Sequence, residues 1–192
     1  MSSNSCCRRT ELSPSPRGWR RLLGGLLLGC VLFSGPSNAA SWRDDLPQAQ
    51  TLGEGEMRWF GLRIYHATLW AEQRPFQPER PFALQLRYHR HIGRQRLVQT
   101  SVDEIRRLDR TGIDAGVLAR WEQTLGGAFT DVAPGDELIA VYAPARGMRL
   151  YNQQRWLADI NDPQLARAFF GIWLDADTRD QDLRRKLLGG PP

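Results

Sequence analysis

The sequence predicts an α+β fold, on three observations. Strand patterns fill Met57 to Ile92, helix patterns follow from Ser101 to Gly127, and a hairpin with a further short strand precedes a helical end. Strands and helices that come in separate runs, without strict strand–helix alternation, are the order of an α+β domain. Neither an internal repeat nor a low-complexity tract interrupts the region.

Residues 1–39 read as a leader, and residues 40–192 as the domain. Arg17, Arg20 and Arg21 make a basic start, and Leu22 to Phe33 an apolar run short of a comfortable bilayer span. Ser37 and Ala39 then supply small residues before a cut after Ala39. This is the pattern of a secretory signal peptide, with the mature chain periplasmic or secreted and without a stable membrane span. Cleavage near Ala39 is preferred to lipidation at Cys30, because Val31 to Phe33 carry the apolar run past that cysteine. Arg20-Arg21 leaves Sec and twin-arginine export both open.

The leader also explains the charge. The chain has 26 basic and 21 acidic residues, and the leader holds five of the arginines and one acid, leaving 21 against 20. A near-neutral domain does not ask for nucleic acid. Cys6, Cys7 and Cys30 all lie in the leader, which excludes cysteine catalysis and disulfides from the remainder. Phosphate loops, dinucleotide fingerprints and Gly-x-Ser-x-Gly are absent, so no cofactor is expected.

The elements follow in order. Met57 to Ala71 is rich in aromatic and branched residues on both parities, as in a strand covered on both faces, with Gly61 a bend or bulge. Three prolines, Pro75, Pro78 and Pro81, make a loop. Phe82 to Ile92 alternates, with Phe82, Leu84, Leu86, Tyr88 and Ile92 on one face, a series that Arg90 breaks. Ser101-Val-Asp-Glu104 has the form of a capping box. Asp114 can cap a helix with Leu118, Trp121 and Leu125 at helical spacing, stopped at Gly126-Gly127. Pro134-Gly-Asp136 is a turn. Glu137 to Ala143 and Met148 to Tyr151 form a hairpin, and Arg155 to Ile160 another strand. Asp162-Pro163 is an N-cap with proline at N1, ahead of a stripe of Leu165, Phe169, Ile172 and Trp173. Thr178-Arg-Asp-Gln181 then opens a last helix as a second capping box, so Asp175, Asp177 and Asp180 read as turn and cap residues rather than a metal site.

Chemistry is sparse. His89 and His91 share a strand face, but no third ligand is fixed by spacing, and no metal is expected. Arginine and tyrosine lie within apolar strands instead: Arg58, Arg63, Tyr65, Tyr88 and Arg90. A guanidinium desolvated by apolar neighbours needs an anion, and a nearby tyrosine can share it. The pair suits a carboxylate or phenolate with an oily body. The bland alternative is edge arginines that snorkel outward.

Five strings in order, "GLRIYHATLW" (61–70), "LRYHRHI" (86–92), "SVDEIRRL" (101–108), "GDELIAVYAPARGMRLYN" (135–152) and "FFGIWLDADTRDQDLRRKLLG" (169–189), resemble the exported bacterial branch of the chalcone isomerase-like proteins. The resemblance implies an open-faced β-sandwich: a large antiparallel sheet with helices packed on one face and a smaller strand layer nearby. It does not bring the plant isomerase set across intact. Arg58 matches the arginine, Tyr65 stands where a threonine is expected, Gly93 to Arg96 lack the tyrosine, and Gly171 replaces a hydroxyl residue. Family members without that set include fatty-acid-binding proteins that hold a carboxylate with arginine and tyrosine, which implies the same for Arg58 and Tyr65. The leading expectation is therefore a non-catalytic binder of a fatty acid or similar amphipathic carboxylate. Its ligand would be held by Arg58, Arg63, Tyr65, Tyr88 and Arg90 beside Trp70, Gly171 and Ile172, with Phe60 and Ile64 in the wall. The alternatives are an intramolecular lyase acting on a phenolic substrate through Arg58 and Tyr65, and a cell-envelope structural or partner-binding module without a ligand.

Overall fold

A computed structural model describes residues 41–190. The expected signal peptide, with its expected cut near Ala39, and Cys30 lie outside the described residues. Six strands, β1 (Gln50–Trp59), β2 (Leu62–Ala71), β3 (Phe82–Tyr88), β4 (Glu137–Ala143), β5 (Gly147–Tyr151) and β6 (Trp156–Ile160), form one antiparallel sheet in chain order. Among the described residues five helices accompany them: α1 (Trp42–Asp45), α2 (Arg94–Leu108), α3 (Ala115–Ala128), α4 (Pro163–Leu174) and α5 (Gln181–Leu187). Among the described residues no helix is long and apolar enough to cross a membrane.

Alternation divides the sheet into two faces. Leu69, Leu84, Leu86, Ala140 and Leu150 point to one side and are buried with Val102, Leu125, Leu165 and Phe169 from the helices. Trp70, Ala83, Ile139, Val141 and Tyr151 point to the other, where Trp42 and Leu46 cover them. Apolar residues on both parities thus have their predicted cause, but the second cover is α1 rather than a strand layer. The Asp45 carboxylate fastens α1 by accepting from Arg149 and from the Tyr151 hydroxyl, both at 2.6 Å.

Met57 to Ala71 is two strands rather than one. Phe60 and Gly61 both have positive φ, 48° and 77°, as in the tight turns that match the strand twist, so the chain reverses where a bend was expected. The strand then extends back to Gln50. Its pairing shifts: Met57 faces Tyr65 while Arg58 faces Arg63, which leaves Ile64 as the extra residue of a bulge.

Asp114 and Asp162 cap α3 and α4 as predicted, Asp162 accepting from Gln164 and Leu165 N–H at 2.9 Å. The two four-residue boxes fare differently. Ser101 lies inside α2 and donates to the Leu97 carbonyl, because the apolar stripe of Val98, Val102 and Ile105 carries the helix back to Arg94. Asp131, distant in sequence, accepts from the Arg94 N–H at 2.7 Å. At α5 the cap is Asp180, which accepts from Leu183 N–H, while Thr178 donates to the Ile172 carbonyl. Gly126-Gly127 does not stop α3, which runs on to Ala128.

α5 seats directly on β1, and glycine makes that possible. A Cβ on Gly53 would stand 2.0 Å from the Lys186 carbonyl oxygen, and one on Gly55 2.9 Å from the Leu183 side chain. Gly53→Ala is therefore expected to push α5 off the sheet and lower unfolding free energy by about 1–3 kcal/mol. Chemical denaturation of the variant measures this, and an unchanged midpoint would refute the seating.

Candidate functional site

The helices do not fill the whole face of the sheet. Where β1, β2 and β3 run towards the β1–β2 turn, a cavity of about 690 Å³ opens between the strands, α2, α4 and the segment leading into α5. This lies within the usual range for small-molecule pockets. Met57, Ile64, Leu86 and Leu138 contribute from the strands, and Leu97, Phe169, Ile172 and Trp173 from the helices.

Two tyrosines stand side by side in this apolar setting because their positions pair across β2 and β3. Their rings meet edge to face at 5.8 Å. The Tyr65 hydroxyl accepts from Trp173 Nε1 at 2.9 Å, linking β2 to α4. Tyr65 keeps some accessible surface only because the cavity opens beside it. Tyr88 is 3% exposed, and its hydroxyl has no hydrogen-bond partner among the described residues. That hydroxyl is nevertheless not a sealed orphan, since no side-chain polar atom there is both fully buried and unpartnered. It therefore reaches the cavity. Burial pushes both phenols up, against the pull of the Trp173 bond on Tyr65, so both stay protonated donors.

The charged groups lie around this interior. Arg96, in the first turn of α2, lines the cavity, is exposed, and has no acidic partner among the described residues. Gly93, at the N-cap of the same helix, lines the cavity as well, while the Asp131 carboxylate takes up the Arg94 N–H at that end. His91 also lines the wall. On another side Arg179 bonds Glu104 at 2.9 and 2.5 Å, and Arg107 bonds the same carboxylate at 2.8 Å. Burial raises the Glu104 pKa, but the two arginines outweigh it and hold the carboxylate below its usual range. Arg110 engages Asp175 and Asp177.

Several sequence expectations are corrected here. Arg58 is exposed and outside the cavity: the bulge at Ile64 sets Met57 and Tyr65 towards the helices and Arg58 and Arg63 towards the opposite face. Arg63 is neutralised by Glu56 through two bonds of 2.7 Å. Arg90 follows the end of β3 and is exposed. Trp70 packs against Trp42 at 5.4 Å under the Arg43 guanidinium, and its Nε1 donates to Gln85. Phe60 is 90% exposed at the turn. Gly171 is outside the lining, while its neighbours Ile172 and Trp173 are within it. His89 faces Glu56 at 3.3 Å, so it does not act with His91. Of the proposed set, Tyr65, Tyr88, Ile64 and Ile172 come together. Arg96 and Trp173 were not singled out for the site; the signals were the arginine-rich break after β3 and the aromatic end of the α4 stripe.

The comparisons place this architecture. The family model for chalcone isomerase-like proteins matches residues 53–189. The chain belongs to the chalcone isomerase-like family. An uncharacterized protein of Haemophilus influenzae is 27% identical over 165 residues, covering 85% of this chain and 76% of that protein. The crystal structure of an Arabidopsis thaliana fatty-acid binding protein superposes with a TM-score of 0.56 at 9% identity, over 74% of this chain and 87% of that one. At that identity the likeness is one of fold.

The face opposite the cavity supplies a pH test. Hydrogen bonding from Arg63 chiefly, with His89 and His66 adding to it against burial, draws Glu56 down to about 2 from 4.5. A depressed carboxylate stabilises the fold above its unfolded pKa and loses that contribution as pH falls through the folded value. The stability gap between the native chain and Glu56→Gln should be full above about pH 5 and close towards pH 2. Denaturation midpoints across that range measure it, and a gap independent of pH would contradict the assignment.

Proposed function

We propose that this chain is a non-catalytic binding protein for a fatty acid or similar amphipathic carboxylate, taken up in the cavity between the sheet and α2, α4 and α5. The observation that carries the reading is the Tyr88 hydroxyl: buried, kept protonated, unpartnered among the described residues and open to an apolar cavity. Open to the cavity, that hydroxyl has its proton free to donate to water or to a ligand acceptor that displaces it.

Segment 88–96 supplies Tyr88, His91, Gly93 and Arg96 to the wall; Asp103 and Glu104 of α2, and Arg179 and Asp180 before α5, add charged groups elsewhere around it. In the proposed complex the carboxylate pairs with Arg96 near solvent and accepts from Tyr88. The tail lies along Leu86, Leu97, Phe169 and Ile172. A carboxylate kept near the mouth avoids most of the penalty of burying a charge. The plant neighbour that shares the fold is itself a fatty-acid binding protein, which supports the ligand class. Export, proposed from the leader, would make this an extracytoplasmic binder.

The lyase alternative rests on Arg58 and Tyr65 acting together, and these residues lie on opposite faces of the sheet. A structural module without a ligand expects a filled interior, against which the 690 Å³ cavity stands. Binding is therefore preferred to both.

Delipidated protein titrated with a fluorescent fatty acid tests the reading. Tyr88→Phe is expected to weaken binding roughly tenfold, as for loss of a hydrogen bond to a charged acceptor. Arg96→Ala should weaken the ionised acid while leaving the matching alcohol unchanged, and added salt should mimic it. Protein that ignores fatty acids, or binds acid and alcohol alike in all variants, would refute the proposal.

A further inference from the structure

The β1–β2 turn carries an apolar cluster with no cover among the described residues. Phe60 is 90% exposed, Leu62 51% and Trp59 46%. Trp59 and Phe60 rings meet edge to face at 5.1 Å, so the cluster is a single projecting knob. Two-residue turns are ordinarily filled with glycine, asparagine or aspartate, and Phe60 holds a positive φ of 48° that suits those residues better. A phenyl ring there serves neither the turn nor the core.

Two further features give the knob a direction. Immediately behind it stands an exposed guanidinium, Arg58, without an acidic partner among the described residues, opposite Arg63 across the hairpin. Trp59 also belongs to the cavity wall, as does Ile64 beyond the turn. The knob is thus continuous with the cavity mouth. Arg179, itself in that wall, lies 5.8 Å from the Trp59 ring. Aromatic and aliphatic side chains at a tip, with arginine one step back, match a bilayer interface: rings among the headgroups and cations against anionic phosphates.

We propose that the β1–β2 turn docks the protein on an anionic membrane surface, with Phe60, Leu62 and Trp59 entering the interface and Arg58 contacting lipid phosphate. Docking there sets the cavity mouth against the bilayer, from which an amphipathic ligand can pass in without crossing water. The transfer step rests on the cavity reading above; the docking does not.

Hydrogen exchange of the full chain, with and without vesicles of phosphatidylcholine containing roughly one-third phosphatidylglycerol, tests this. The readout is local, so affinity elsewhere in the chain does not obscure it. Amides of 57–63 are expected to exchange several-fold more slowly with vesicles. Phe60→Asn combined with Leu62→Ser should abolish that protection, since asparagine tolerates the positive φ and neither residue lines the cavity. Arg58→Glu should weaken it on anionic vesicles and leave neutral ones unaffected. Fatty-acid binding without vesicles should be unchanged in all these variants, which separates failure of docking from failure of the cavity reading. Vesicle binding without protection at 57–63, protection that survives the double variant, or protection by protein concentration alone, as for a second copy of the chain, would overturn the proposal.

Discussion

The register of the β1–β2 hairpin decides most of what this molecule can do. A turn made by Phe60 and Gly61 and an extra residue at Ile64 fix which side chains of β1 and β2 see the helices. With that register Tyr65 faces inward and lies opposite Tyr88, Met57 joins them, and the arginines of both strands go to the far face. A shift of one residue in β2 would exchange its two sets, placing Arg63 under the helices and Tyr65 in water. The bulge is therefore a feature that aims side chains, as bulges near binding sites commonly do.

What keeps the space beside the tyrosines open is the way the helices are tied down at its borders. α5 rests on the glycines of β1, and α4 reaches β2 through the Trp173–Tyr65 bond. The segment 175–180 is pinned to α2 and the turn after it by Arg179 on Glu104, by Arg107 on the Asp177 carbonyl, and by Arg110 on Asp175. These ion pairs are partly exposed, so each contributes modestly. Together they span the gap as a frame, and apolar side chains line it without closing it. The two tyrosines remain neutral in this setting and supply donors whose strength does not change across physiological pH.

The fold was largely legible in the residues, since alternation along β3 and β4 and the Asp-based caps of α3 and α4 are local signals that tertiary packing reinforced. Other local signals misled. Ser101 and Glu104 have the spacing of a cap, yet the apolar stripe of α2 begins earlier, and the cap comes from Asp131 in a distant loop that no window on the helix can reveal. The site was legible only in part. Tyr65 and Tyr88 stood out because a phenol in an apolar strand wants a partner. Arg58 stood out for the same reason and proved to be on the outer face, because the unpaired Ile64 in the next strand sets Met57, and not Arg58, beside Tyr65. Arg96 carried no visible signal beyond its arginine-rich context: its place in the wall depends on where α2 begins.

Three parts of one surface lie together: a tyrosine pair in a largely apolar cavity, a guanidinium at the start of α2 without an acidic partner among the described residues, and an apolar turn at the rim. The most direct measurement is the crystal structure of the delipidated protein soaked with a fatty acid brominated near its methyl end. The account predicts an anomalous bromine peak within the cavity, in contact with Phe169 or Ile172, and carboxylate density at Arg96 and the Tyr88 hydroxyl. A peak confined to the protein surface, or an interior closed by side chains around Tyr88, would contradict it.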